Sequence, residues 1–446
     1  MHNLDAREDA QRLNTSVGNL SRGLSLRANF SWTFIGNAVR AGSWFLMTIV
    51  LAKLGSPEHV GQFALGLATT APVFMFATLR LRDVQATDTR QEYLFEDYFA
   101  LRLLTTALAL LVVAGIVAFL DFPRETGLVI LAAGISKASE AISDAFYGLF
   151  MQQERLDRIA KSMMLKGPLA LAGLSLAFYL TGSVFWGVMA VAAVRILILL
   201  SFDLRNVIAS LNPSAKPFSR LVPRVYPRPR WDSTTLVRLT RLTLPLGFMT
   251  MLISFNANIP RYFIEGNLGS YQLGIFAAVA AFQKAAPTVV QALGRSASPR
   301  LAKYYAGNRP AAFRRLGLKL LGIGAMLGGG GVLVALIAGR QILTLFYRPE
   351  YALPGLFALL MLAAGIDYLA TMVLFVITSA RYFSVQLPLQ LLTTGSVALA
   401  CFWLIPWLGL MGAALALIVG STVRAGGGLL AAWHAHHMLE RQSIAA

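Results

Sequence analysis

Residues 99–120 read FALRLLTTALALLVVAGIVAFL. After Arg102 the run carries no charge, and its apolar residues do not alternate with polar ones. A strand of a membrane barrel needs about ten residues of alternating character. This stretch is about twice that length and continuously apolar, as a helix rising about 1.5 Å per residue needs to cross a bilayer.

Runs of the same kind recur on both sides of it. They fall at 30–51, 61–79, 127–151, 159–180 and 184–202, then at 242–264, 273–293, 316–338, 354–378, 383–405 and 408–434. The chain therefore reads as an all-α polytopic membrane protein of about twelve transmembrane helices, with fourteen as the upper bound. Composition agrees: 56% of the 446 residues are hydrophobic and 13% charged, whereas soluble domains carry about a quarter charged residues. The net charge of +18 does not point to nucleic acid, because the cations lie mainly in short loops between apolar runs. Cys401 stands inside an apolar run and has no cysteine partner in the chain, so it forms no internal disulfide. Residues 1–28 are polar and of mixed charge, with no apolar core or cleavage site. The first span is expected to serve as an uncleaved signal.

Cation placement sets the expected topology. With the N-terminus in the cytoplasm, most of the 39 Lys and Arg fall on the cytoplasmic side, as the positive-inside rule requires. An even number of spans then leaves both termini in the cytoplasm. The expected organisation is a cytoplasmic segment at 1–29, a six-helix bundle at 30–204, a Pro/Arg-rich cytoplasmic linker at 205–240, a second six-helix bundle at 241–438 and a tail at 439–446. Pro213, Pro217, Pro223, Pro227 and Pro229 make the linker stiff and extended. Its arginines suit anionic lipid head groups.

The two halves share a repeat. Leu54-Gly55-Ser56, Gly61-Gln62-Phe63-Ala64, Ala71-Pro72 and Arg80 are answered by Leu268-Gly269-Ser270, Gly274-Ile275-Phe276-Ala277, Ala286-Pro287 and Arg295. An even number of spans separates the copies, so the halves run the same way. They form a parallel repeat, two bundles related by a pseudo-two-fold axis along the membrane normal.

Ionisable groups at membrane depth carry the functional signal. Arg40, Lys137, Glu140, Asp144, Lys166, Arg195, Lys284, Asp367 and Arg424 fall inside the spans. Exposed to lipid, each costs about 2.5–3.5 kcal/mol and the set about 20 kcal/mol or more, so a hydrated internal cavity is expected. Lys137, Glu140 and Asp144 lie at i, i+3 and i+7, one stripe of a helix. Lys137 and Glu140 form either an internal pair that fixes packing or part of the cavity wall; Asp144 has no partner on its own helix. Arg40, Lys137, Lys166, Arg195, Lys284 and Arg424 are the candidate substrate-binding cations, an excess that suits an anionic passenger. Arg195 and Arg424 lie near the inner third of their spans and could instead snorkel. Glu140, Asp144 and Asp367 are candidate groups for coupling to Na⁺ or H⁺.

Pro72, Pro168 and Pro287 interrupt spans and are candidate hinges, or static bends. The glycine run 328–331 lacks the Lys-Ser/Thr of a phosphate loop and suits close helix packing. His434, His436 and His437 have no Cys or acidic partner at ligand spacing, so no metal and no cofactor is expected. Trp32, Trp44, Trp186, Trp403 and Trp407 stand mainly near span ends, as interface anchors do.

Several strings together resemble a known family. They are Leu54-Gly55, Gly61-x-Phe63-Ala64, Ala71-Pro72 and Leu79-Arg80-Leu81-Arg82, then Tyr147-Gly148, Met151-Gln152-Gln153-Glu154-Arg155 and Ile159-Ala160. Leu244-Pro245-Leu246-Gly247, Asn258-Ile259-Pro260-Arg261-Tyr262 and Ala297-Ser298-Pro299-Arg300-Leu301-Ala302 complete the pattern. The resemblance is to the polysaccharide-transporter family of oligosaccharide flippases, within the multidrug/oligosaccharidyl-lipid/polysaccharide exporter superfamily. It implies two six-helix bundles around a central cavity, alternating access, and an undecaprenyl-pyrophosphate-linked glycan as substrate for O-antigen, capsule or exopolysaccharide assembly. A polymerase and other glycan-assembly proteins would be partners. A multidrug or metabolite antiporter of the same fold is the alternative, against which the cationic interior argues. A polymerase or glycosyltransferase needs a substantial external loop; here those loops are short, and their only paired acids are Asp121 and Glu125. The chain is not expected to be an enzyme.

Overall fold

The computed structural model describes residues 25–88, 90, 92–211, 227–284, 287–382 and 385–445. Most of the expected N-terminal segment, the linker prolines 213, 217 and 223, and the side chain of Lys284 lie outside the described residues. Among the described residues the regular structure is helical throughout.

Twelve crossings can be labelled in order. The first six are α1 (Leu26–Leu54), α2 (Pro57–Ala77), α3 (Phe95–Phe119), α4 (Arg124–Gln152), α5 (Leu156–Thr181) and α6 (Val184–Ile198). The helix Ser233–Ala280 breaks at Gly269, whose φ of 79° is left-handed and costs glycine nothing. That break divides it into α7 (233–268) and α8, which starts at 270. α8 continues through the 3₁₀ turn Ala281–Lys284 and the helix Pro287–Ala306. α9 (Pro310–Phe346), α10 (Pro354–Ser379), α11 (Gln386–Leu408) and α12 (Leu410–Ala445) complete the series.

Ten stretches among the described residues are long and apolar enough to cross a membrane. One of them, Ser233–Ala306, holds both α7 and α8. The 29-residue α4 falls outside the ten; Lys137, Glu140 and Asp144 lower its apolarity, not its length. Dividing the one and adding the other gives the twelve read from the sequence.

The predicted linker is shorter in extended form than its composition suggests. α6 runs on through a π-helical turn, Leu199–Asp203, into the helix Leu204–Leu211. α7 starts at Ser233, capped by Asp232, whose carboxylate accepts from the Thr234 amide at 3.2 Å. Only Pro227 and Pro229 of the linker prolines are described, and both are non-helical.

Each lobe packs by neighbouring helices: α1 on α5 and α4 on α3 and α6 in the first, α9 on α10 and α12 on α10 and α11 in the second. The lobes meet chiefly where α2 crosses the α7–α8 segment. Apolar burial drives little of this in lipid, where helix contact depends on small residues that let backbones approach. The repeat supplies them. A Cβ on Gly61 would overlap the Ser270 carbonyl, and one on Gly274 would overlap the Pro57 carbonyl. The contact is reciprocal, with each half offering its repeat glycine to the start of the other's second span. Two six-helix lobes thus face each other about a pseudo-two-fold axis. Gly328 of the glycine run likewise lies against Gly365 of α10, while Gly329 and Gly330 face open space.

Candidate functional site

Between the lobes lies a cavity of about 790 Å³. At its end away from the linker, aromatic side chains cluster between the lobes. Phe45 of α1 meets Phe282 at 5.0 Å and Phe346 of α9 at 5.7 Å between ring centroids, both edge-on. Beyond them Lys53 Nζ donates to the Leu345 carbonyl across the lobes at 3.0 Å. Towards the linker end the wall includes Gln386 and Gln390 from the first turns of α11. Across the lobes, Thr250 Oγ1 donates to the Met75 carbonyl at 3.0 Å, and the Tyr262 hydroxyl to the Ala68 carbonyl.

The charged lining comes from both lobes. Arg40 on α1 and Lys137 on α4 line it from one side, and Arg261 on α7, Asp367 on α10 and Arg424 on α12 from the other. Four cations thus face one carboxylate among the described side chains. Asn256, Asn258 and Gln283 add amides, while Trp44, Phe63, Phe276 and Tyr368 add rings. The set offers charge-assisted donors for an oxyanion and amide and aromatic surfaces for a polar, partly apolar body.

Behind the N-lobe wall, Glu140 is the shared counter-ion. It accepts from Lys137 Nζ at 2.9 Å and from Arg195 at 3.3 Å, and Arg40 stands 4.0 Å away. Lys137 and Glu140 therefore form the ion pair their spacing allows, and Lys137 also lines the cavity. Arg195 does not snorkel: it is 8% exposed, donates to Ser136 Oγ at 3.0 Å and lies over the Trp44 ring. In the C-lobe Arg424 donates to Asp367 at 2.6 Å, so these two residues, 57 apart in sequence, are partners.

Two of the sequence candidates lie inside the N-lobe, away from the cavity lining. Lys166 is held by Asp203 at 2.5 Å, Ser143 at 2.6 Å and the Tyr147 hydroxyl at 3.2 Å. The π-helical turn ends at Asp203, which is fully buried; such a turn shifts the helical phase of the residues after it. Asp144, with no partner on its own helix, is bound by Arg82 at 2.9 Å and by the fully buried Arg102 at 3.1 Å. Of the candidate hinges, Pro72 and Pro168 lie within α2 and α5, whereas Pro287 starts the helical segment after the 3₁₀ turn and lines the cavity. The Lys284 backbone closes that same turn. No group of three metal-ligating side chains occurs among the described residues.

Arg261 is the cavity cation absent from the sequence candidates. It donates to Asn258 Oδ1 at 2.9 Å and has no carboxylate partner among the described residues. Its signal was the string Asn258-Ile259-Pro260-Arg261-Tyr262; what placed it in the wall is the phase of α7 against the partner lobe.

Comparison with known proteins bears on the fold and the family. No family model matches the chain. It is 28% identical over 411 residues, 89% of this chain and 96% of the relative, to the capsular polysaccharide biosynthesis protein CapF of Staphylococcus aureus. Among solved structures it overlays the inward-facing conformation of a multidrug resistance MATE family transporter of the MOP superfamily with a TM-score of 0.67. That match is 14% identical and covers 90% of this chain and 95% of that one. The outward-facing conformation of such a transporter gives 0.58 at 14% identity, over 91% and 94%. The fold is therefore that of MOP-superfamily transporters. The resemblance to polysaccharide transporters of that superfamily, read from the motifs, agrees with both comparisons.

Proposed function

We propose that this chain, a multi-pass membrane protein with a two-lobed transporter fold, moves a lipid-linked oligosaccharide across the bacterial inner membrane by alternating access. The observation that carries the reading is the excess of fixed cations, Arg40, Lys137, Arg261 and Arg424 against Asp367, in a cavity between two lobes. A pyrophosphate bearing a sugar and a polyprenyl tail matches it: Arg and Lys neutralise the phosphates, and amides and rings receive the sugar. The name of the capsular polysaccharide relative supports the same substrate class. Lys284 is assigned as a further cavity cation, and Arg195 holds Glu140 behind the wall.

In this reading the present state is closed at the outer face by Phe45, Phe282 and Phe346 and open towards the cytoplasm, where both termini lie. Release outside requires the α2–α8 crossing to part and the linker ends of the lobes to close. Pro72, Pro168 and Pro287 absorb the bending. Asp367 and Glu140 are the candidate coupling carboxylates; Asp144 and Lys166 stabilise the N-lobe from within. No step makes or breaks a covalent bond, so the chain is not an enzyme, and a polymerase or other glycan-assembly protein would consume the product.

The second reading, export of drugs as in the structural neighbours, keeps the fold and changes the passenger. Purified protein in liposomes, offered a fluorescent pyrophosphate-linked prenyl sugar or a cationic dye, separates the two. Sugar translocation without dye uptake is expected; dye transport alone overturns the proposal.

A further inference from the structure

The stretch where the second helix of each lobe gives way to the third differs in charge between the lobes. In the N-lobe, 80–97 mixes Arg80, Arg82 and Arg90 with Asp83, Asp88, Glu92, Glu96 and Asp97. In the C-lobe, 295–319 carries seven Lys and Arg and no acid. The pseudo-symmetry of the backbone is thus broken by charge on the linker side of the C-lobe, in a stretch that contributes no residue to the cavity lining.

The end of this basic stretch lies on α9 in a position that can be gauged. α9 has 37 residues, about 55 Å of helix, against about 30 Å for the hydrocarbon core. Between Lys319 and Arg340 no residue is charged, a length of about 30 Å. Lys319 therefore stands at the edge of the core, with Arg314 and Arg315 one turn farther out at head-group level. A surface groove is lined there by Ala311, Arg314, Arg315, Leu318 and Lys319, all exposed. None of the three cations is paired with a carboxylate among the described residues.

The same face continues into the membrane. Ala311, Arg315, Leu318, Gly322, Met326, Gly329 and Leu333 recur at helical spacing, with Met326 74% and Leu333 58% exposed. At Gly322, Gly329 and Gly330 nothing lies within 4 Å of the place a Cβ would take. The stripe is a basic patch that gives way, over about 16 Å from Lys319 to Gly330, to an apolar face with gaps. That distance is about one leaflet of hydrocarbon.

We propose that this stripe of α9 binds one anionic phospholipid, its phosphate held by Arg314, Arg315 and Lys319 and an acyl chain lying over Gly322, Gly329 and Gly330. The charge of the patch selects the head group, and the depth of the glycines selects a lipid over a free anion. The site is separate from the cavity and does not depend on what the cavity carries.

The test uses the full chain in phosphatidylcholine vesicles containing a minor fraction of phosphatidylglycerol with a diazirine in its acyl chain. Labelling after illumination is expected within 318–333, and unlabelled phosphatidylglycerol should compete where phosphatidylcholine does not. Each cation near a membrane surface is worth roughly fivefold, so the R314Q/R315Q/K319Q variant should weaken competition about a hundredfold. Should that variant fail to fold, each single variant is expected to lose roughly fivefold, while R340Q at the other end keeps wild-type labelling. Wild-type competition retained in the triple variant and in every single variant of Arg314, Arg315 and Lys319 overturns the proposal. So does equal competition by phosphatidylcholine, equal competition by inorganic phosphate, or adducts joining two copies of the chain in place of lipid adducts.

Discussion

Gly274→Ile is the substitution that tests the closed end of the molecule most severely. The three atoms nearest a Cβ at 274 are the Pro57 carbonyl oxygen and carbon and the Gly61 nitrogen, all backbone. No side-chain rotation can make room, so α2 and α8 must separate. Overpacking of this kind costs about 3 kcal/mol, the upper part of its usual range. The cost falls on the state in which the lobes touch here and is absent once they part. The ratio of closed to open at this end should therefore drop by about two orders of magnitude. Spin labels at Thr181 and Glu350, exposed positions of opposite lobes at this end, in a Cys401→Ala background, report the separation by pulsed dipolar spectroscopy. A longer distance population is expected to appear in Gly274→Ile and to be absent from Gly322→Ile, where the added side chain meets open space. An unchanged distance distribution with an unchanged thermal midpoint would refute the crossing as the contact that holds this end shut.

The same geometry sets three further outcomes. Asp203→Asn leaves Lys166 charged and nearly buried, and removal of one member of such a pair costs about 3–5 kcal/mol; thermal denaturation should show the loss, and the Lys166→Met/Asp203→Leu double variant should recover most of it. Arg424→Gln should weaken binding of a pyrophosphate-linked prenyl sugar at least tenfold, whereas Asp367→Asn, which frees Arg424, should preserve or strengthen binding while coupled transport falls; equilibrium binding to the purified protein, beside liposome transport at matched protein density, distinguishes them. Gly328→Leu should destabilise the α9–α10 contact by about 1–3 kcal/mol, and Gly329→Leu should not, as monitored by the thermal midpoint of the purified protein.

The span pattern was legible because a bilayer imposes one length and one composition on every crossing. The repeat was legible too, and Gly61 and Gly274 show why: a close approach between backbones tolerates no side chain, so the same residue stands in both halves. Depth along a helix could also be read, which is why Arg40, Lys137, Asp367 and Arg424 were identified before their wall was seen. Rotational phase against a partner could not. Arg261 stood out only as part of the string Asn258–Tyr262, and the position of α7 beside the other lobe is what turns it into the cavity. Long-range pairing was equally hidden. Asp144 has no partner on its own helix, yet Arg102 on α3 and Arg82 on the short helix Leu81–Thr87 reach it from 42 and 62 residues away. Lys166 waits for a carboxylate delivered by a π-helical turn that composition does not announce.

Direct binding examines the cation excess most plainly. Trp44 lines the cavity with Lys137 near its ring, 5.9 Å from Nζ to centroid, so its emission in a variant keeping only that tryptophan reports occupancy. A short-chain prenyl pyrophosphate should quench it saturably, with R40Q/R261Q/R424Q weakening binding at least a hundredfold and a quaternary ammonium dye giving no saturable change. Saturable quenching by the dye, with none by the pyrophosphate, would contradict the assignment of the cavity to an anionic passenger.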